Sequence, residues 1–354
     1  MVGVGIIGCG YIAKKHVASI ANCKELTLAA VSDLQVDRME EVAKSYRQKQ
    51  SNEVVPITIY EDYHNLLQDS RVEVVIVSTI SSLHAQIAIQ ALQHKKHVII
   101  EKPIALSLQE VEEMIRLAEQ KDRRIFVCHQ LRYRPFMRKL KSFIEKGYFG
   151  DIYLGVATLR LHRSQAYYAS SPWKGTWDKD GGMLLNQGIH MVDLLLWLLG
   201  DATSVYGEMM NTNKNKETED IATGILSFEG QSKGLIEANT ITKPSNQGYY
   251  LSLFGEEGSI IVGGEHFNEI IHCYSQTHPE AIQALGNTTN DRNEHMYMYQ
   301  DFIRAIKKQE DHLMTASEGK KALEVIFGMY QSAKEGKPVR FPLNDFRTEW
   351  MHDW

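Results

Sequence analysis

The chain has 354 residues, 43% hydrophobic and 23% charged, with a formal net charge of -5 at pH 7. That length favours two domains, and the charge gives no electrostatic reason to expect nucleic acid or an anionic membrane as a partner. No apolar run approaches the ~20 residues that span a bilayer. Met1 leads straight into a strand pattern with no basic region or cleavage site, so a secretory signal is not expected. Cys9, Cys23, Cys128 and Cys273 are scattered and lack metal-ligand spacing. Free thiols in a reducing cytoplasm, and no metal site, are the expectation.

Val2 to Ile7 reads as a strand running into Gly8-Cys9-Gly10-Tyr11-Ile12-Ala13, the G-x-G-x-x-A dinucleotide fingerprint. Gly8 supplies a tight turn, Gly10 lets backbone approach a pyrophosphate, and Ala13 permits close helix packing. The following helix, Tyr11 to about Ala21, offers the N–H groups of its first turn, from Tyr11 and Ile12 on, to the phosphates. A second strand, Leu26 to Val31, leads to Asp33, which lies 33 − 13 = 20 residues past Ala13. An acid there bonds a ribose 2′-hydroxyl and repels a 2′-phosphate, favouring NAD over NADP. The alternative for Asp33 is a helix N-cap.

The alternation continues with a helix from Met39 to about Gln50, a strand Val54 to Ile59, a helix Asp62 to Leu67 and a strand Val72 to Ser78. Thr79 to His84 forms a loop at that strand's carboxyl end, over the expected cofactor, and His84 either contacts it or starts the helix Ala85 to Gln93. Val98 to Ile100 is an apolar β-branched strand ending in Glu101-Lys102-Pro103. Pro103 cannot donate to a ladder and disfavours helix at Lys102, so the lysine sits at a strand exit, where α/β folds place their chemistry. Taken alone, Glu101-Lys102 also fits a surface pair before a turn. A helix from about Ser107 to Gln120 completes an α/β first domain, residues 1–122, with a parallel, doubly wound sheet.

In residues 123–354, a strand Arg124 to Cys128 leads through His129-Gln130 to a helix Phe136 to Gly147. Strands follow at Ile152 to Leu161, Ser204 to Asn211, Asp220 to Phe228, Lys233 to Thr242, Tyr249 to Phe254 and Ser259 to Val262. Thr212 to Glu219 is a polar hairpin loop. This spacing predicts an α+β domain with a large open antiparallel sheet, one face against helices and one free for a partner subunit. Arg163, Tyr167, Tyr168, Trp173, Thr176 and Trp177 lie between the first two strands. They suit stacking on a ring and gripping an anion, and equally suit an interface.

Asp180-Gly-Gly-Met-Leu-Leu-Asn-Gln-Gly-Ile-His190 then enters an apolar helix closed by Gly200. Asn186, His190 and Asp193 fall at i, i+4 and i+7 on one helix face, a polar stripe that demands partners. Helices from Asn290 to Lys308, carrying His295 and Tyr299, and from Ala316 to Ala333 precede a last strand, Val339 to Pro342. The aromatic tail Phe346 to Trp354 is expected to dock.

Gly8-x-Gly10-x-x-Ala13, Thr79 to His84, Glu101-Lys102-Pro103 and Gly181 to His190 together resemble the Gfo/Idh/MocA oxidoreductases over nearly the whole chain. The resemblance implies a Rossmann domain and an open-sheet domain, assembled into dimers or tetramers through that sheet. It implies Lys102 and His190 as the pair flanking the carbinol carbon beside the nicotinamide. Gly8, Gly10, Tyr11, Ile12, Asp33, Thr79, His84, Glu101, Lys102 and Gln130 are its implied cofactor-binding residues.

One departure is Asn186, where many members carry an Asp that can stabilise a protonated imidazole. Asn186-Gln187-x-x-His190, with Arg163, Tyr167, Tyr168, Thr176 and Trp177, is similar to a narrower branch, the UDP-N-acetylglucosaminuronate 3-dehydrogenases of bacterial surface-polysaccharide pathways. Those residues and Lys102 are then the implied substrate contacts. A UDP-sugar is the implied substrate, and 2-oxoglutarate an implied recycling oxidant. The alternatives are a free-sugar or inositol dehydrogenase, and a non-catalytic dinucleotide sensor.

Overall fold

The computed structural model describes residues 1–49, 56–286, 288, 291–308 and 310–354. They divide into two compact units, residues 1–130 with 293–319, and residues 131–292 with 320–354.

The first unit follows the expected alternation: β1 (Val2–Ile7), α1 (Ala13–Ala21), β2 (Leu26–Ser32), α2 (Val36–Lys49), β3 (Thr58–Tyr60), α3 (Tyr63–Gln68), β4 (Val74–Val77), α4 (His84–Gln93), β5 (His97–Ile100), α5 (Leu108–Lys121) and β6 (Ile125–Val127). The six strands form one parallel sheet in the order β3-β2-β1-β4-β5-β6. β1 and β4 are buried along their whole length, which is why they read as unbroken apolar runs. Between them the winding reverses, and a doubly wound sheet binds ligands outside the carboxyl ends at such a point. Of the expected elements, Gln50, Val54 and Val55 lie outside the described residues, and the strand expected there is described at Thr58–Tyr60.

The strand expected to open the second domain closes the first sheet instead. β6 pairs in parallel with β5, Val98 beside Ile125 and Ile100 beside Val127. Its Phe126 packs edge-on against Phe302 of a later helix, Glu294–Lys308, which also belongs to the first unit. A three-residue apolar strand carries no mark of which sheet it joins. The expected division after residue 122 therefore misplaces both elements; Asn290, where that helix was expected to begin, is outside the described residues.

The second unit contains α6 (Pro135–Glu145), β7 (Ile152–Arg160), α7 (Gln165–Ala169), α8 (Ile189–Leu199), β8 (Ala202–Met210), β9 (Ile221–Phe228), β10 (Lys233–Asn239), β11 (Gly248–Gly255), β12 (Gly258–Gly263), β13 (Glu269–Ser275) and α9 (Pro279–Gly286). After α10 (Glu294–Lys308) come α11 (Ala316–Glu335) and β14 (Val339–Arg340). The sheet order is β13-β12-β11-β7-β10-β9-β8-β14. It is large and open as expected, but mixed. β7 and β10 run parallel, because the chain leaves β7 through helices and returns by the β8–β9–β10 meander. β13 was not foreseen, since its largely exposed residues show no clean alternation.

Residues of β9 alternate between faces. The inner face packs helices, with Leu195 and Leu199 of α8 close over Gly155 and Met329 of α11 over Gly207 and Gly224. On the outer face, Tyr206, Ile225, Leu235, Val156, Ser252 and Ile261 align in one cross-strand row. The aromatic tail docks as expected: Phe346 packs on Phe327, and Trp354 meets Trp177 edge-on.

Candidate active site

In the first unit the site grows from the exit of β1. Gly8 has a φ of +93°, and an added Cβ would meet the carbonyl oxygen of Ser78 at 2.5 Å, so only glycine fits between β1 and the end of β4. Its N–H donates to Ser32 O at 2.8 Å. An added Cβ at Gly10 would meet nothing within 4 Å, and no side chain caps the start of α1 at Ile12. Open backbone before a bare helix N-terminus fits a pyrophosphate. Tyr11 is 84% exposed beside it. Burial, then the charge of Asp33, pushes the Cys9 thiol up to about 12, so it stays protonated.

Half-buried Asp33 accepts from Cys9 N at 2.7 Å and from Gln35 N at 2.9 Å. It thus ties down the glycine loop and the turn before α2. A carboxylate has about four acceptor positions, so two remain for a ribose diol.

The neighbouring strand exits carry the other expected cofactor residues. Thr79 follows β4, Glu101 and Lys102 follow β5, and Gln130 lies shortly after β6. All stand at the carboxyl edge of the parallel sheet with Gly8 and Asp33. His84 does not stand there as a polar ligand. Its ring is buried, with Nδ1 at 2.7 Å from Pro103 O and Nε2 at 3.2 Å from Thr79 O. Both nitrogens face main-chain carbonyls, and burial lowers its pKa, so the neutral ring donates to one of them. The structural alternative for His84 is the observed one.

In the second unit, several of the expected substrate residues come together. The Arg163 guanidinium lies 5.2 Å from the centroid of the Tyr167 ring and donates to His162 O and Asn246 Oδ1. Lys174 Nζ lies 4.3 Å from the same centroid. The Tyr167 hydroxyl accepts from Gln187 Nε2 at 3.3 Å. Tyr168 is buried, with Lys216 over its ring. Thr176 bonds the Trp173 carbonyl within its own turn. Trp177 departs from expectation. It is fully buried, packs edge-on against Tyr330, and accepts from the Thr348 hydroxyl at its carbonyl. It belongs to the core, because an aromatic in a loop reads the same whether it faces in or out.

Asn186 and Gln187 sit in a π turn, Leu184–Gly188, that leads into α8. A π turn is wider than an α-turn, so Asn186, His190 and Asp193 are not one α-helical stripe. Asn186 and Asp193 nonetheless have the partners they demand. The Asn186 amide donates to buried Asp180, whose other oxygen accepts from Gly175 N at 2.7 Å. Asp193 is locked in a buried two-point ion pair with Arg132, at 2.7 and 3.0 Å. His190, half-buried, is the second residue of α8.

Glu219 holds the π turn from behind, accepting from Leu184 N at 2.8 Å and from the Tyr330 hydroxyl at 3.0 Å. Burial pushes its carboxyl up to about 7 against the lowering effect of these donors and Lys216. A Cβ on Gly182, whose φ is +106°, would run into Glu219 and Tyr330. Sequence reading assigned no role to Asp180 or Glu219. Asp180 had a signal, an acid directly before Gly-Gly; Glu219 had none.

Two family models match the chain: the oxidoreductase family's NAD-binding Rossmann fold over residues 2–129, and its C-terminal alpha/beta domain over residues 141–341. The chain belongs to this family, the Gfo/Idh/MocA oxidoreductases. As such it is an NAD-dependent dehydrogenase with an NAD-binding Rossmann domain.

Among solved structures the chain is similar to the WlbA dehydrogenase of Chromobacterium violaceum in complex with NADH and UDP-GlcNAcA. The identity is 28%, covering 97% of this chain and 96% of that one, with a TM-score of 0.88. Myo-inositol 2-dehydrogenase of Thermotoga maritima is 23% identical over 95% of this chain and 98% of the relative. Glucose-6-phosphate 3-dehydrogenase of Bacillus subtilis is 27% identical over 95% and 97%.

Proposed function

We propose that this dehydrogenase oxidises the C3 hydroxyl of a UDP-linked N-acetylamino sugar, the UDP-GlcNAc uronate foremost, to the 3-ketone for bacterial surface-polysaccharide synthesis in the cytoplasm. The observation that carries this reading is the likeness, along nearly the full length of both chains, to a dehydrogenase held with NADH and UDP-GlcNAcA. The Arg163, Tyr167, Lys174 and Gln187 cluster supports it, since it offers cations and a ring where a free polyol needs neither. NAD supplies the hydride acceptor. Lys102 and His190 share the hydroxyl, one taking its proton and the other holding its oxygen. A non-catalytic sensor has no need of either residue.

The second reading, a free-sugar or inositol dehydrogenase, is favoured by the near full-length match to the inositol and glucose-6-phosphate enzymes. Single-turnover nicotinamide absorbance on a panel of UDP-sugars, sugar phosphates and polyols separates the two. The UDP-uronate is expected to reduce NAD fastest, and a faster polyol or sugar phosphate defeats the first reading. In the first reading, NADH stays bound and is reoxidised in place by 2-oxoglutarate, so purified protein carries nicotinamide absorbance that the oxo acid bleaches. The outer row with Ile225, 53% exposed, and Leu235, 38% exposed, suits a homo-oligomer packed through this sheet.

A further inference from the structure

Within the first unit, a buried line of polar side chains stands at the root of Lys102. His16, on α1 after the glycine loop, is 0% exposed, Tyr299 of α10 is 1% exposed, and Glu101 is 8% exposed. His16 Nε2 is 3.0 Å from Glu101 Oε1, and its Nδ1 is 2.8 Å from the Tyr299 hydroxyl. The backbone N–H of Lys102 donates to Glu101 Oε2 at 3.4 Å.

Glu101 is faced by His16 from α1, by Cys128 from the exit of β6, by His295 from α10, and by Lys102 on its own strand exit. Tyr299 stands behind His16, and Glu294 and Lys15 act on His295. Burial raises the Glu101 carboxyl, but the His16 hydrogen bond and the charges of His16, Lys102 and His295 outweigh it and hold it at about 2.

His16, Glu101 and Cys128 bring their donor atoms within 4.8 Å of one another, a set that would suit a soft cation. The hydrogen bonds give it another use. An ionised Glu101 only accepts, so His16 Nε2 carries the proton between them, and the other ring nitrogen meets the Tyr299 hydroxyl. Burial and the Glu101 charge push the Cys128 thiol well above its ordinary range, so it is no ready thiolate ligand.

We propose that Glu101 and His16 are positioning residues for Lys102: they hold a buried carboxylate against the lysine's root, and that carboxylate keeps the lysine's proton in place. The attraction is reciprocal, since the charge that favours an ionised Glu101 is itself favoured by Glu101. A lysine that keeps its proton holds the substrate oxygen and does not take the hydroxyl proton. The inference rests on the reading of Lys102 as a group that meets the substrate.

The test titrates Lys102 directly. Lysines of the full-length, NADH-bound protein are reductively methylated with ¹³C and followed by NMR against pH, with the Lys102 signal assigned by its loss in Lys102→Met. Glu101→Gln is expected to lower the Lys102 midpoint by about one pH unit or more. Glu101→Asp is expected to restore most of it. Both variants are titrated at saturating NADH, so that a change in cofactor affinity does not enter the midpoint.

An unmoved midpoint in folded Glu101→Gln protein overturns the proposal. If that variant does not fold, Tyr299→Phe, which weakens only the outer bond of the line, must lower the midpoint measurably, and an unchanged value overturns it equally. No substrate enters the measurement. A lowered midpoint alongside full turnover by Lys102→Met would therefore sink the catalytic role of Lys102 while leaving the positioning pair intact.

Discussion

The carboxyl edge of the first unit and the loop region of the second are made of different material. The first is chiefly main chain: a left-handed Gly8, an open Gly10, an uncapped helix start, and Asp33 fixed by two backbone N–H groups. The second is chiefly side chain: cations about the Tyr167 ring, Asn186 on Asp180, and Gln187 on Tyr167. A main-chain cradle suits a cofactor shared by many enzymes, and a side-chain platform can change its substrate without disturbing the fold. The contrast implies that substitutions in the first region act on cofactor handling, and those in the second on substrate.

The proposed catalytic pair offers the sharpest challenge to this division, because Lys102 belongs to the first region and His190 to the second. Lys102→Met and His190→Asn are each expected to lower kcat by ~10²–10⁴-fold while leaving NAD bound. The double variant should lose little more than the worse single, as groups acting together are non-additive. Near-full activity of either single variant on the true substrate removes that residue from the chemistry.

Next in size is cofactor choice. NADP would set its 2′-phosphate against Asp33, whose carboxylate is already committed to Cys9 N and Gln35 N and cannot swing away without releasing the loop. NADP is expected to bind at least ~10²-fold more weakly than NAD, the cost of opposing two anions in a partly buried place. Equal dissociation constants by fluorescence titration would show that Asp33 serves the loop alone.

These regions also differ in how much of them the sequence discloses. Gly8, Gly10 and the 20-residue step from Ala13 to Asp33 are legible because backbone geometry demands particular residues at particular spacings. Pairings made across the fold leave no such mark. His16 meets Glu101 from 85 positions away, and Arg132 meets Asp193 from 61. Asn186 meets Asp180 across a glycine turn and a π turn, neither of which an α-helical period predicts. Residue type alone did not settle His84 either, because a strand-exit histidine looks the same whether it faces a ligand or two carbonyls.

Trp177 and Tyr167, ten residues apart in one loop region, test whether burial separates structure from recognition. Trp177→Ala should destabilise the protein by about 3–5 kcal/mol in denaturant unfolding, the usual cost of emptying an aromatic site. Half-buried Tyr167→Ala should leave stability nearly unchanged and raise KM. If Trp177→Ala were fully stable, its place in the core would be wrong.

Glu219 links platform and pH. Its carboxyl is raised in the folded state from an ordinary 4.5 to about 7. Between those values the unfolded chain has shed a proton that the folded chain retains, so stability falls as pH rises through that window and levels off above it. The loss is on the order of 3 kcal/mol between pH 5 and 8. Glu219→Gln keeps an acceptor for Leu184 N and the Tyr330 hydroxyl and should lack this term. A variant with the wild-type pH dependence in thermal unfolding would assign the term elsewhere.

The smallest effect is expected at Arg163. Two of its guanidinium hydrogen bonds already go to His162 O and Asn246 Oδ1, and the side chain is only half-buried, so part of its value is local structure and solvent weakens the rest. Arg163→Ala should raise KM for a UDP-uronate by about tenfold, a single charge-assisted contact being worth ~1.5–3 kcal/mol before screening. NAD affinity should stay within about twofold. Arg163→Lys, which keeps the charge but loses the planar fork, should fall between the two if an anion is gripped, and should match Ala if the guanidinium only stacks on Tyr167. An unchanged KM in Arg163→Ala would leave Tyr167, Lys174 and Gln187 to recognise the substrate, and would return the arginine to the support of its own loop.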